Sequence, residues 1–251
     1  MQQCQEVVTP SQQIAKIVQT HTGYLPHVIS NGVDLDLFSM ETKYPNEAKE
    51  LCKKYDLCPD HPVILYVGRI DPDKKVEMVI RAAAKVMRGV DAQLFVVGDG
   101  KQRQELIQLS QSLGIYQNCR FPGFISKHGD LPGIYRMARV FVTASEIEIQ
   151  SSVVLEAAAS GLPVITVKAS SMSEFVIDGD SGYLVRPDDV NHMAERIVTL
   201  VTDHRKSKEM GQAGRIITEA HSNQRFLEEH ERLYEAVFHK QKIYHQEGIL
   251  A

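Results

Sequence analysis

Apolar residues along this chain alternate between two patterns. Val63-Ile64-Leu65-Tyr66-Val67-Gly68 is an unbroken apolar run, and Gln93 to Gly98 is another. Runs without polar alternation mark strands covered on both faces of a sheet. Between them, Val76 to Met87 sets Val79, Ile80, Ala83 and Val86 at helical spacing. The succession continues on either side. Val7-Val8-Thr9 reads as a strand end, Ser11 as an N-cap and the stretch from Ser11 to Thr20 as a helix. His27-Val28-Ile29 reads as a short strand closed by the turn residues Ser30-Asn31-Gly32. A polar stretch from Ser39 to Asn46 precedes a short helix through Tyr55. Downstream, the spacing predicts a helix at Arg103 to Leu113, a strand around Arg120-Phe121 and a helix near Leu131 to Met137. Strands follow at Val140 to Ala144, Pro163 to Val167 and Gly182 to Val185, with a helix from Val153 to Ser160 between the first two. Three helices close the pattern: Val190 to Val201, His204 to Ala220 and Gln224 to His239.

Repeated β-α units with doubly buried strands predict an α/β fold, a Rossmann-like open parallel sheet with helices on both faces. Such sheets bind ligands beyond the carboxyl ends of their strands, so the loops there hold the chemistry. Composition narrows the field. A chain of 251 residues can bury the core of one large domain or two small ones. Its formal net charge of −4 gives no electrostatic ground for a nucleic-acid partner. No apolar run approaches bilayer-spanning length. Met1 to Glu6 lacks the basic start and apolar core of a signal peptide. Cys4, Cys52, Cys58 and Cys119 are scattered, which predicts reduced thiols in a cytoplasmic protein, the cytoplasmic membrane face included.

Four loops are candidates. Gly68-Arg69-Ile70-Asp71-Pro72-Asp73-Lys74-Lys75 leaves the first strong strand. Its glycine lets the backbone pass close under a ligand, Arg69 can fork two phosphate oxygens, and Lys74 adds a compact cation. Taken alone, it reads better as a solvated charged turn. Gly98-Asp99-Gly100-Lys101 lacks the third glycine of a dinucleotide fingerprint and reads better as a turn lining a cleft. Phe121-Pro122-Gly123-Phe124-Ile125 offers an apolar, backbone-rich shelf for a nucleobase, or simply a strand end; His128 has no partner at ligand spacing and reads as surface or structural. In Glu148-Ile149-Gln150-Ser151-Ser152-Val153-Val154-Leu155-Glu156, two carboxylates stand seven residues apart around a helix start. Ser151 and Ser152 suit the N-cap, and the helix end suits a phosphate. Glu148 can accept from sugar hydroxyls and Glu156 from a ribose diol. On spacing alone the better reading is that Glu148 caps the helix electrostatically and Glu156 pairs with a basic neighbour.

In this order, the segments resemble the retaining, nucleotide-sugar-dependent glycosyltransferases of GT-B fold, family 4 type. Val8-Thr9-Pro10-Ser11 and Ser30-Asn31-Gly32-Val33-Asp34 with Phe38 resemble the passage out of the N-terminal domain. Gly68-Arg69 with Asp73-Lys74 resembles the diphosphate loop. Gly98-Asp99-Gly100, Phe121-Pro122-Gly123 and Leu131-Pro132 with Tyr135 fall at the family's intervals. Glu148 to Glu156, with Ala157, Gly161, Pro163 and Val164, resembles the EX7E motif and its tail, and Asp178-Gly179 with Gly182 to Val185 the segment after it.

The resemblance implies the C-terminal, donor-binding domain of a GT-B enzyme. Residues 1–30 would be the end of an acceptor domain, 31–220 the nucleotide-sugar domain, and 221–251 a helix crossing back. The implied activity is transfer of a hexose from a UDP- or GDP-linked donor, UDP slightly favoured, to an acceptor hydroxyl with retention. The donor is a co-substrate; no cofactor or metal is implied. Arg69 and Lys74 would stabilise the departing diphosphate, and Glu148 would hold hexose hydroxyls without acting as nucleophile. Glu156 would take the ribose, and Gly68, Gly98, Gly100, Phe124, Ile125, Gln150, Ser151, Ser152 and Val153 would contribute to donor binding. The acceptor stays open among lipid, polysaccharide and small molecule, and a separate N-domain polypeptide or self-association is the expected partner. A non-catalytic nucleotide-sugar module, a subunit of a split transferase, and a GT-B epimerase or phosphorylase are the alternatives. Three departures put side chains where the family has glycine: Lys75, Ser151 and Ser170-Ser171.

Overall fold

The computed structural model describes residues 4–42 and 44–246. Residues 1–3 of the expected 1–30 segment and 247–251 of the expected 221–251 segment lie outside them. The chain opens with Val8–Thr9 (β1), Gln12–Thr22 (α1) and His27–Val28 (β2). β1 and β2 pair in parallel as a separate two-stranded sheet. The Ser11 hydroxyl caps α1 by accepting from the Ile14 amide at 3.3 Å. The Glu174 carboxylate accepts from the next two orphan amides, Gln12 and Gln13, at 2.9 Å each.

Glu47–Lys54 (α2) leads into the main body, which begins with Val63–Val67 (β3), Val76–Val86 (α3), Gln93–Val97 (β4), Arg103–Ser112 (α4) and Cys119–Gly123 (β5). Leu131–Met137 (α5), Val140–Val142 (β6), Ser152–Ala159 (α6), Val164–Val167 (β7), Met172–Phe175 (α7) and Gly182–Val185 (β8) follow. Val190–Thr202 (α8), His204–Glu219 (α9) and Asn223–Gln246 (α10) complete the order. The six main strands run parallel in the order β5-β4-β3-β6-β7-β8. Helix α7, of four residues, was not legible because it is too short to show a 3.6-residue period.

Alternation within the apolar runs divides the core in two. Ile64 and Tyr66 of β3, Leu94 and Val96 of β4, and Ile165 and Val167 of β7 face a layer containing α3 and α8. Val63, Leu65 and Val67, Phe95 and Val97, and Val164 face a layer containing α2, α5 and α6. This is why these strands carry no polar face.

Near the expected boundaries at residues 31 and 221, the chain is laced to itself. The Val33 amide donates to His221 O at 2.9 Å, and the Asn223 amide donates to Val33 O at 3.0 Å. Helix α10 then leaves Leu227, Tyr234 and Phe238 exposed.

The ends of β3 and β4 approach so closely that a side chain at Gly98 would place its Cβ 1.8 Å from Gly68 O. At Gly100 the Cβ would lie 2.4 Å from Ile70 O. Backbone must move if either glycine is replaced. Gly98→Ala is therefore expected to lower unfolding free energy by more than about 2 kcal/mol. Gly89→Ala, where no atom lies within 4 Å of the added Cβ, should stay within about 1 kcal/mol of the parent. Chemical denaturation of the two variants checks this; equal stabilities would refute the close-approach argument.

Candidate functional site

β3 and β6 are sheet neighbours, yet β4 and β5 lie to one side of the pair and β7 and β8 to the other. The loops that follow β3 and β6 therefore diverge, and a cleft opens between them at the strands' carboxyl ends. It has two lobes that share Val67, Gly68, Arg69 and Val153. One, of about 430 Å³, is bounded by Lys74, Glu148 and Gln150 to Ser152. The other, of about 580 Å³, runs beneath Phe124, Ile125 and Leu131 and reaches Glu156.

The first lobe is lined with charges that already have partners. Lys74 Nζ meets Glu148 Oε1 at 2.7 Å and Asp73 Oδ2 at 3.5 Å, with Lys74 and Glu148 both mostly buried. Arg69 is more exposed and pairs with Asp73 at 3.0 Å and with Asp71. The Tyr66 hydroxyl donates to Arg69 O at 2.7 Å. Burial first, and then the charges of Glu148 and Asp73, push the Tyr66 phenol well above its ordinary value, so it stays a neutral donor. An anion entering this lobe exchanges partners with carboxylates; it does not meet bare cations.

The second lobe is mostly apolar, with Asp99 and Glu156 as its acids. Glu156 accepts from Tyr135 Oη at 3.0 Å, deep between α5 and α6. Burial raises the Glu156 carboxyl above the usual range; the Tyr135 hydrogen bond and the more distant Lys127 charge pull the other way and do not cancel it. Its partner is thus a phenol and not a basic residue. Phe124 is 80% exposed at the cleft, a large apolar ring left facing water.

Of the residues expected to bind the donor, all except Gly100 line one lobe or the other. Two details differ from expectation. Ser151 holds the N-cap position of α6, but its side chain makes no capping bond; its carbonyl accepts from Val154 and Leu155 at 3.2 Å. Gln150 is 8% exposed and its amide is committed elsewhere. Its oxygen accepts from the Asn31 amide at 2.6 Å, and its nitrogen donates to Ser30 Oγ. His128, read as surface or structural, is exposed but stands at the rim of the second lobe with Ser126 and Lys127. Asp71 and Tyr66 were missed, the first because it looked like any charged turn and the second because it looked like core; Asp73 entered only as part of the resemblance to the diphosphate loop, not as a partner of Arg69 and Lys74.

Comparison with known proteins agrees with the geometry. Residues 47–216, more than half of the chain, match the family described as Glycosyl transferases group 1. A GDP-mannose-dependent alpha-(1-6)-phosphatidylinositol monomannoside mannosyltransferase from Mycolicibacterium smegmatis is 32% identical over 192 residues, 73% of this chain and 49% of the relative. An Anabaena protein, HepE, solved in complex with UDP-glucose, superposes with a TM-score of 0.78 at 25% identity, over 90% of this chain and 64% of that one. The C-terminal domain of a glycosyl transferase group 1 family protein, LpcC, from Francisella tularensis superposes with a TM-score of 0.65 at 27% identity, over 75% of this chain and 97% of that one. The fold is that of GT-B glycosyltransferases. The chain spans about half the length of the curated relatives it matches. Among the described residues, no helix is long and apolar enough to cross a membrane.

The half-buried Glu156 gives a pH test. Its raised value means that the folded protein holds this proton more tightly than the unfolded chain. The group's contribution to stability is full below its ordinary value of 4.5 and is lost as pH rises through the raised value. Glu156→Gln removes that loss. Its melting temperature should match the parent near about pH 4 and exceed it near about pH 7. A difference that does not grow with pH would contradict the assignment.

Proposed function

The chain belongs to the glycosyl transferases group 1 family, and from that premise we propose that it binds a nucleoside-diphosphate hexose in the two-lobed cleft. It supplies the donor half for hexose transfer to an acceptor hydroxyl with retention. The observation that carries this reading is the order of chemistry along the cleft. An apolar shelf and the half-buried Glu156 carboxylate occupy one lobe, Arg69 and Gly68 stand at the junction, and Lys74, Glu148 and the start of α6 occupy the other. A nucleoside diphosphate sugar presents base, ribose, diphosphate and hexose in that same order.

The base lies on the Phe124-Ile125 shelf and the ribose diol meets Glu156. The diphosphate draws Arg69 away from Asp71 and Asp73 and shares Lys74 with Glu148. As the glycosidic bond breaks, charge gathers on the diphosphate, and these fixed cations with the α6 terminus stabilise it. Glu148 accepts from hexose hydroxyls. Its ion pair with Lys74 reduces its nucleophilicity, which suits a hydroxyl acceptor better than an attacking group. No helix long enough to span a membrane is needed for this chemistry; a lipid acceptor would be met at a surface.

Titration calorimetry with UDP, GDP and a panel of UDP- and GDP-hexoses checks the reading. Arg69→Ala and Lys74→Ala should each weaken nucleoside diphosphate binding about tenfold. Glu148→Ala releases Lys74, so it should leave UDP or GDP affinity unchanged or tighter while removing the extra affinity contributed by the hexose. Equal loss of nucleoside diphosphate affinity in Glu148→Ala would sink the assigned role. So would the absence of binding to every donor in the panel.

A further inference from the structure

Residues 146–150 carry Glu148 and belong to no helix or strand. Their apolar members face outward, Ile147 at 75% and Ile149 at 56% exposure, so hydrophobic packing does not fix the segment. Side chains from elsewhere do. Ser171, fully buried, donates to Ile149 O at 2.7 Å, with Glu148 O 3.2 Å from the same hydroxyl. Ser170 Oγ donates to Glu148 O. Lys75 Nζ bonds Glu146 and reaches Asp188 at 3.0 Å. Both Ser170 (φ 50°) and Lys75 (φ 47°) lie in the left-handed region, where a side chain is disfavoured and glycine is the natural occupant. Two residues held in that conformation, each directing its side chain to the same short segment, mark a constraint that local backbone preference does not explain.

The segment is also tied outward. Ser171 stands at the N-cap position of α7, whose Glu174 receives the first amides of α1. On the other flank Gln150 bonds Ser30 and Asn31, and Ser30 Oγ lies 2.7 Å from His221 Nδ1.

We propose that Ser170, Ser171 and Lys75 are positioning residues for the donor hexose, a clasp that holds the Glu148 turn in its binding geometry before ligand arrives. The inference rests on the reading of Glu148 as the acceptor of hexose hydroxyls. It assigns these residues no contact with the nucleotide, so their removal separates hexose affinity from nucleotide affinity.

The test compares parent, Ser170→Gly, Ser171→Ala, the double variant and Lys75→Gly. Two quantities are read: backbone hydrogen exchange across 146–150 in the unliganded protein, and the ratio of nucleoside diphosphate Kd to nucleoside diphosphate-hexose Kd for the donor the parent binds best. Ser170→Gly and Lys75→Gly relieve a positive φ, so their melting temperatures should equal or exceed the parent's. Exchange across 146–150 should nonetheless quicken about fivefold or more in each serine variant, and the hexose gain should fall about fivefold per lost hydrogen bond. Nucleoside diphosphate affinity itself should stay within about twofold. Unchanged exchange in the double variant overturns the clasp. Faster exchange with an undiminished hexose gain overturns its role in positioning. If the parent gains no affinity from the hexose, the reading of Glu148 fails first, and the positioning role fails with it.

Discussion

The arrangement depends on one topological constraint, the reversal of strand order between β3 and β6. With successive strands added outward from this pair in opposite directions, two loops must leave adjacent strands and part. Between them lies space that no side chain of the sheet can fill. The constraint also explains the glycines. On the β3–β4 side the loops run so close that Gly98 must be bare to clear Gly68 O and Gly100 to clear Ile70 O. The floor of the cleft is therefore backbone because the neighbouring chain requires it. Ligand access is a consequence.

The charges above that floor are held in the same spirit. Arg69 at the junction of the lobes and Lys74 in the polar lobe are each paired with carboxylates. An anionic ligand then gains only the difference between phosphate and carboxylate contacts, which keeps binding reversible and places the gain where negative charge grows. Glu156 works against the stability of the fold as pH rises, half-buried with a phenol for a partner. A carboxylate left in that environment is costly unless something with hydroxyls satisfies it, and the apolar lobe beside it has room for such a group.

Most of the fold was legible because its strands are buried on both faces, which leaves apolar runs such as Val63 to Val67 that no other setting explains well. The site was legible as a list of positions but not as a set of bonds. Gln150 looked like one more polar residue near the ligand, whereas its amide is tied to Ser30 and Asn31, about 120 residues away in sequence. Such pairings come from topology and leave no local periodicity. Lys75, Ser151 and Ser170-Ser171 were visible only as departures from a family pattern. Two of them, Lys75 and Ser170, sit at positive φ and bond the Glu148 segment. Ser151 takes the expected cap position without the cap bond.

The central claim is that one donor spans both lobes. The most direct measurement is the map of backbone amide chemical-shift changes as a UDP- or GDP-hexose is titrated into the isotopically labelled protein. Changes are expected at 67–70 and 97–99, at 124–128 in the apolar lobe and at 146–153 in the polar lobe, with those at 146–149 clearly larger for the hexose-bearing donor than for nucleoside diphosphate alone. Changes confined to another part of the surface, such as the groove between α3 and α8, would contradict it.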